Sequence, residues 1–208
     1  HFVNIQDPTN PVAAGGYSMG AYSHDAQVVT YTGPDTDYTD REILIGSNEN
    51  QVVLVDITDK ENPQPISSVA YDQIGYTHQG WFTEDQQYFI AGDELDELNF
   101  GFMSRTLIFD FTDLDNPVLL SEYGGPTPAI DHNGYVKGNL YYLSNYTAGL
   151  RILDVSQIST GNINEIAHFD SFPTDNSASF NGAWSVFPYF QSGHIIISDI
   201  NSGFYLVK

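Results

Sequence analysis

The chain has 208 residues, 41% of them hydrophobic, and its 27 acidic and six basic side chains give a formal net charge of −21. This length and apolar content allow a sizeable core, whereas the charge excludes a nucleic-acid partner, because no basic patch is available to displace counterions. An anionic membrane would also repel this charge, and no apolar run is long enough for direct membrane insertion. The lack of cysteine excludes disulfides and thiolate metal sites.

One apolar phrase ending in Asp, Asn and Pro recurs along the chain and predicts one strand in each repeat. Its copies are 2–7, 52–59, 106–113 and 150–155, and the first three are followed by Asn-Pro. Asp, Asn and Pro favour turns and do not continue a strand ladder. Three more apolar runs surround each complete copy, so each repeat contains four predicted strands.

A second phrase, built around a histidine, gives the period of the repeat. His24, His78 and His132 are spaced by 78 − 24 = 54 and 132 − 78 = 54 residues. A fourth copy has Asn181 in place of histidine, 181 − 132 = 49 residues later. A fixed period of this length indicates one supersecondary unit used repeatedly, and four antiparallel strands in about fifty residues are the content of a β-propeller blade.

The sequence therefore predicts an all-β fold, a β-propeller of four-stranded blades, each about fifty residues long. We expect the first strand of each blade to be the innermost, which places the three histidines and Asn181 at one mouth of a central channel. Strand counting predicts an incomplete, C-terminal portion of the ring, because both ends supply a third strand. The remaining blades would come from an upstream segment or another chain. The predicted blades are 1–17 (partial), 22–70, 76–123, 130–170 and 180–208 (partial).

The repeated histidines predict a metal site at this mouth, because neutral imidazole binds zinc, copper, nickel or iron. We expect one divalent ion, Zn²⁺ or a similar transition metal, held by His24, His78 and His132. The carboxylates that would complete its shell are Asp25, Asp93 and Glu94. The other recurring polar residues predicted to line the channel are Asn181, Asp131, Ser47, Ser144 and Ser198. In the alternative interpretation, the histidines bond backbone carbonyls or waters and only brace the inner strands.

A loop opened by Gly33 and Pro34 carries closely spaced carboxylates that predict a second cation site. Ca²⁺ takes six to eight oxygen ligands and tolerates irregular geometry. The possible ligands are Asp35, Asp37, Asp40 and Glu42. The EF-hand pattern is absent here, and a solvated acidic loop is the alternative. The run 93–97 is a similar candidate, or else an acidic rim for a basic partner.

The phrase Val52–Pro63 resembles the LVIVD repeat, and the wider chain resembles the choice-of-anchor B family of bacterial surface proteins. The matching stretches are 23–27, 33–38, 76–81, 93–97, 126–133 and 180–186. The resemblance implies a secreted or surface-anchored propeller whose members are longer at the N-terminus. The resemblance brings no known enzymatic activity with it, so whether the chain is an enzyme stays open at this point.

We therefore expect an extracellular or cell-surface bacterial module that binds or scaffolds, with bound divalent cations and a protein or polysaccharide partner. The chain begins at His1 without an initiator methionine, and we expect it to be processed or truncated. One alternative is a metal-dependent hydrolase or lyase acting on an extracellular polymer, which requires an ion with an open coordination position. Another is a subunit of a surface assembly whose blade edges pair with a second chain.

Overall fold

A computed structural model describes residues 1–19 and 22–208 and confirms the all-β prediction. The described chain forms five small antiparallel sheets. Its one α-helix, α1, runs from Asp96 to Phe100, and short 3₁₀ turns lie at Thr36–Tyr38 and Ile158–Thr160. No helix in the described ranges is long and apolar enough to cross a bilayer.

The strands follow one another in space in the order in which they occur along the chain. Sheet 1 is the hairpin of β1 (Val3–Asn4) and β2 (Val12–Ala13). Sheet 2 comprises β3 (Asp25–Thr30), β4 (Glu42–Asn48), β5 (Gln51–Asp56) and β6 (Gln64–Val69). Sheet 3 comprises β7 (Thr77–Phe82), β8 (Tyr88–Asp93), β9 (Arg105–Asp110) and β10 (Val118–Gly124). Sheet 4 comprises β11 (Gly134–Lys137), β12 (Leu140–Ser144), β13 (Leu150–Gln157) and β14 (Asn162–Phe169). Sheet 5 comprises β15 (Ala183–Phe187), β16 (Ile195–Asp199) and β17 (Gly203–Val207).

The sheets are arranged side by side, as the blades of a β-propeller are. The first strand of each of sheets 2 to 5 contacts the first strand of its neighbour, so that β3, β7, β11 and β15 form a continuous inner series. The residues that begin these strands consequently lie at one end of the structure, which we call the mouth. The five sheets do not close into a ring.

The core is divided into separate clusters, each between the facing surfaces of two successive sheets. Ile45 and Leu54 of sheet 2 share one cluster with Phe89 and Phe109 of sheet 3. A second cluster joins sheets 3 and 4, and a third joins sheets 4 and 5. Each sheet is therefore held in place by apolar side chains on every face that packs against a neighbouring sheet.

Two glycines on the inner strands allow the rings of the next strand to pack closely. A Cβ at Gly80 would overlap the ring of Phe89, and one at Gly134 would overlap the ring of Tyr141. Phe89 and Tyr141 are completely buried, so neither ring has open space into which to move. This crowding explains why glycine occupies these two positions.

We expect Gly134→Ala to destabilise the protein by about 1–3 kcal/mol, the usual cost of adding volume to a packed core. Gly124→Ala is the matched control, because a Cβ there meets nothing within 4 Å. Urea unfolding of both variants gives the comparison. Equal free energies of unfolding for the two variants would contradict the packing argument.

Candidate functional site

The three repeated histidines form a row of rings in tilted contact across the mouth, the histidine row. The ring centroids of His24 and His78 are 4.2 Å apart, and those of His78 and His132 are 4.3 Å apart. His78 and His132 are each only 2% exposed, whereas His24 is exposed at the end of the row. The row therefore contains two buried imidazoles and one that is open to solvent.

Bulges in the inner strands direct two of the rings towards the mouth. In β7 the pairing passes from Thr77 to Gln79, which leaves His78 without a partner on β8. In β15 the same irregularity leaves Trp184 unpaired, and its ring lies 4.6 Å from that of His132. A bulged residue re-aims its side chain, so Trp184 extends the histidine row by one ring.

Glu94 places its carboxylate between the two buried histidines. Its Oε2 lies 3.5 Å from Nε2 of His78, and its Oε1 lies 3.5 Å from Nε2 of His132. These ligand atoms all lie within 4.8 Å of one another. A separation of 3.5 Å is longer than a normal hydrogen bond. It is close to the distance between two ligand atoms in a tetrahedral zinc site, which is roughly 3.3 Å when the metal–ligand bonds are about 2.0–2.1 Å.

The hydrogen bond of the His132 ring indicates which of its two nitrogens is free to bind an ion. Nδ1 of His132 contacts the carbonyl oxygen of Trp184, which only accepts, so this nitrogen carries the proton in the neutral ring. Its Nε2 then presents a lone pair towards Glu94. Two electron-rich atoms thus face each other across a gap that a cation would fill.

The protonation equilibria of the buried histidines also favour the metal-binding form. Burial, with smaller contributions from His132 and His24, lowers the pKa of His78 to about 2. Burial lowers the pKa of His132 to about 4. Both imidazoles are therefore neutral at physiological pH, the form that coordinates metals. Burial also raises the pKa of Glu94, an effect opposed by the hydroxyl of Tyr146, which donates to Oε1 at 2.7 Å.

Asp93, which we predicted as a ligand together with Glu94, supports the turn instead of facing the gap. Its carboxylate is completely buried and accepts hydrogen bonds from five groups. The donors are the hydroxyl of Tyr71 and the backbone N–H groups of Gly75, Tyr76, Leu95 and Asp96. Its lone pairs are used in this way, so it fixes the loop from which Glu94 projects.

The two remaining predicted ligands also lie outside the ligand group. Asp25 is half-buried on β3, opposite Ser47, and burial raises its pKa. The Nδ1 of His24 lies 3.2 Å from the carbonyl oxygen of His78, and this contact braces the inner strands, as the alternative interpretation expected. His24 therefore stands beside the group formed by His78, His132 and Glu94.

The predicted channel-lining residues have diverse environments. Asp131 is buried and accepts from Ser104, Thr106 and Asn145. Ser47 and Ser144 are buried, whereas Ser198 is exposed on β16. Asn181, predicted at the same mouth, bonds Ser179 and Asn201 near its own loop.

In the predicted calcium loop, Asp35 lies close to other carboxylates than the ones with which we predicted it to bind an ion. A carboxylate oxygen of Asp35 lies within 4.8 Å of oxygens from Asp113 and Asp115. The grouping does not include Asp37, Asp40 or Glu42, and Glu42 forms an ion pair with Lys60. Asp35 accepts from the N–H of Leu114 at 2.9 Å, so the contact between sheets 2 and 3 draws the acidic loops together.

Sequence reasoning missed the roles of Tyr146 and Trp184. Tyr146 directly follows the recurring Ser144-Asn145 pair, and this adjacency was the available signal. Trp184 follows the fourth copy of the histidine phrase, but its bulge has no signature in a single sequence. Asp113 is the last residue of the recurring apolar phrase 106–113, and Asp115 lies in the turn after it.

Comparison with known proteins finds similarity of fold only. No family model and no curated protein matches the chain. A structural genomics protein of unknown function from Bacteroides thetaiotaomicron shares 11% identity with a TM-score of 0.55, over 90% of this chain and 41% of its own. The β-propeller domain of Cps50 (Swd1) from Myceliophteria thermophila shares 9% identity with a TM-score of 0.57, over 92% and 55%.

A third solved structure is the periplasmic gluconolactonase PpgL of Pseudomonas aeruginosa, with 12% identity and a TM-score of 0.59, over 84% of this chain and 47% of that one. These likenesses support a β-propeller fold. The chain spans about half the length of the structures it matches.

The depressed histidine pKa values predict how the stability of the metal-free protein depends on pH. The folded-state pKa of His132, about 4, lies below the unfolded value of about 6.5, so the unfolded chain binds more protons between these limits. Stability should therefore rise with pH through this window, by up to about 1.4 kcal/mol per pH unit for each buried histidine.

Urea unfolding with a chelator, at several pH values between these limits, measures this slope. His132→Gln should reduce it, whereas His168→Gln, which alters a ring that is 57% exposed, should leave it unchanged. An unaltered slope in His132→Gln would contradict the assignment.

Proposed function

We propose that this chain is a β-propeller binding module that carries a transition-metal ion at its mouth, held by His78, His132 and Glu94. One observation carries the proposal: the ring nitrogen of His132 that has no proton faces a carboxylate oxygen at 3.5 Å. Without a cation, this arrangement places two lone pairs opposite each other inside a largely buried site. A bound ion converts the repulsion into two coordinate bonds.

The donor set favours a transition metal over calcium. Imidazole nitrogen suits Zn²⁺, Cu²⁺, Ni²⁺ and iron, whereas Ca²⁺ prefers six to eight oxygens. The two imidazoles and one carboxylate supply three ligands, which leaves a fourth tetrahedral position for water or for a group from a partner. The side chain of Glu94 is 17% exposed, so solvent reaches this residue from the mouth. A carboxylate or hydroxyl of a protein or polysaccharide partner fits the fourth position.

We also infer an extracellular or surface location and membership of the choice-of-anchor B type. The repeated phrases support this inference, as does a surface with a net charge of −21 and no cysteine. Acidic side chains keep such a surface hydrated. The location itself is tested by following the full-length protein in cell fractions.

The ring is completed, we infer, by blades beyond this chain, from the same polypeptide or from another. One face of sheet 5, which includes Ile197, packs against the sheet 4 core, while its other face leaves Phe204 67% and Leu206 57% exposed. Apolar side chains at the equivalent faces of sheets 2 to 4 are covered by the following sheet. The match to the solved β-propeller domain covers 92% of this chain but only 55% of that one.

The metal proposal predicts saturable binding of one ion per chain. Chelator-treated protein is titrated with Zn²⁺ by calorimetry and with Co²⁺ by absorption spectroscopy. We expect Glu94→Gln and His132→Gln to weaken binding by about 100-fold or more, since even second-layer substitutions cost metal sites about 10–100-fold. In a Trp81→Phe background, Co²⁺ should quench Trp184, whose ring lies 4.6 Å from that of His132.

Glu94→Gln preserves the size of the side chain and leaves an oxygen that accepts from the Tyr146 hydroxyl. A loss of metal binding in this variant is therefore due to the missing negative charge and not to unfolding. His168→Gln serves as the control, because its ring is exposed on β14. The proposal fails if the unmodified protein binds neither ion stoichiometrically, or if Glu94→Gln and His168→Gln bind equally well.

The open face of sheet 5 predicts concentration-dependent association of the isolated chain. Leu206→Lys should reduce association, because a charge on this face cannot be buried without a partner. Val118→Lys alters an exposed residue on the outer strand β10 and should have little effect. Sedimentation velocity measures both, and a monomer at every concentration, unaffected by either change, would contradict the inference.

A further inference from the structure

Arg105, the first residue of β9, lies beneath the mouth and is only 7% exposed. Its Nε donates to Oδ2 of Asp96 at 2.6 Å, and its backbone N–H donates to Oε1 of Glu97 at 3.2 Å. Asp96 and Glu97 begin α1, two and three residues after Glu94. Arg105 therefore holds the C-terminal side of the turn that presents Glu94.

The same guanidinium also holds the segment that leads to His78. One terminal nitrogen donates to the carbonyl oxygen of Asp72 at 3.2 Å, and the other donates to that of Gln73 at 3.0 Å. The chain then runs through Gly75 and Tyr76 into β7, where His78 is the bulged residue. One side chain thus connects the two segments whose separation sets the gap between His78 and Glu94.

The planar fork of the guanidinium is needed for this connection. It donates in several directions at once, whereas the ammonium of lysine is a point charge on a flexible stem. The guanidinium carbon also lies 4.7 Å from the ring centroid of Phe102 and 5.5 Å from that of Tyr71. These ring contacts restrict the plane of the fork, which fixes the directions of its hydrogen bonds.

We infer that Arg105 is the positioning residue of the metal site, setting the distance between His78 and Glu94 without touching either. The inference rests on the proposed metal function. The ion requires both ligands within bonding distance at once. Arg105 maintains this distance by joining Asp96 to the carbonyls of Asp72 and Gln73.

Arg105→Lys tests the inference, with Arg151→Lys as the matched control. Arg151 is also 7% exposed, also lies on the third strand of its sheet, and pairs with Glu165 on β14. Zn²⁺ affinity is measured by calorimetry, the Co²⁺ absorption spectrum reports ligand geometry, and urea unfolding measures stability. We expect Arg105→Lys to weaken Zn²⁺ binding by about 10–100-fold and to alter the Co²⁺ spectrum. Arg151→Lys should retain both properties at a comparable loss of stability.

Asp96→Asn provides a second variant if Arg105→Lys does not fold, because the amide oxygen still accepts from Nε while the charge is removed. It should also weaken Zn²⁺ binding, by a smaller factor. If the unmodified protein binds no ion, the proposed metal function fails. If it binds and the folded Arg105 or Asp96 variant matches it, or if Arg151→Lys weakens binding equally, the positioning role of Arg105 is overturned while the metal site stands.

Discussion

Packing between the faces of successive sheets is the constraint on which the other features depend. An isolated four-stranded sheet has no interior, so each sheet buries its apolar side chains against its neighbours. Ile45 and Phe89, and likewise Ile90 and Tyr141, share such clusters from opposite sides. This packing fixes the inner strands beside one another and brings residues that are 54 positions apart in sequence into ring contact at the mouth.

The mouth combines neutral rings with carboxylates that have different roles. Burial keeps His78 and His132 uncharged, while Asp93 is stabilised by donors from the surrounding turn. A buried carboxylate needs such donors or a positive partner. Glu94 has the Tyr146 hydroxyl as a donor and otherwise faces imidazole nitrogen. This asymmetry between adjacent acids distinguishes a supporting residue from a candidate ligand.

The sequence was sufficient to predict the all-β class and the proximity of His24, His78 and His132, because a constant period places equivalent residues at equivalent positions. It did not separate Asp93 from Glu94, because the two are adjacent at the end of the same strand and only the path of the turn decides which carboxylate receives the backbone N–H groups. Trp184 depends on a bulge, and Asp113 on a contact with a loop 78 residues earlier (113 − 35). Local patterns carry neither kind of information.

His78 and His132 belong to consecutive sheets, which otherwise adhere mainly through apolar side chains. An ion shared by them would add a directional cross-link between units that otherwise hold together through non-directional apolar contacts. Resistance to shear would then depend on the supply of metal in the surroundings. A protein exposed to flow or tension would gain mechanical strength from this feature, with little change in its shape at rest.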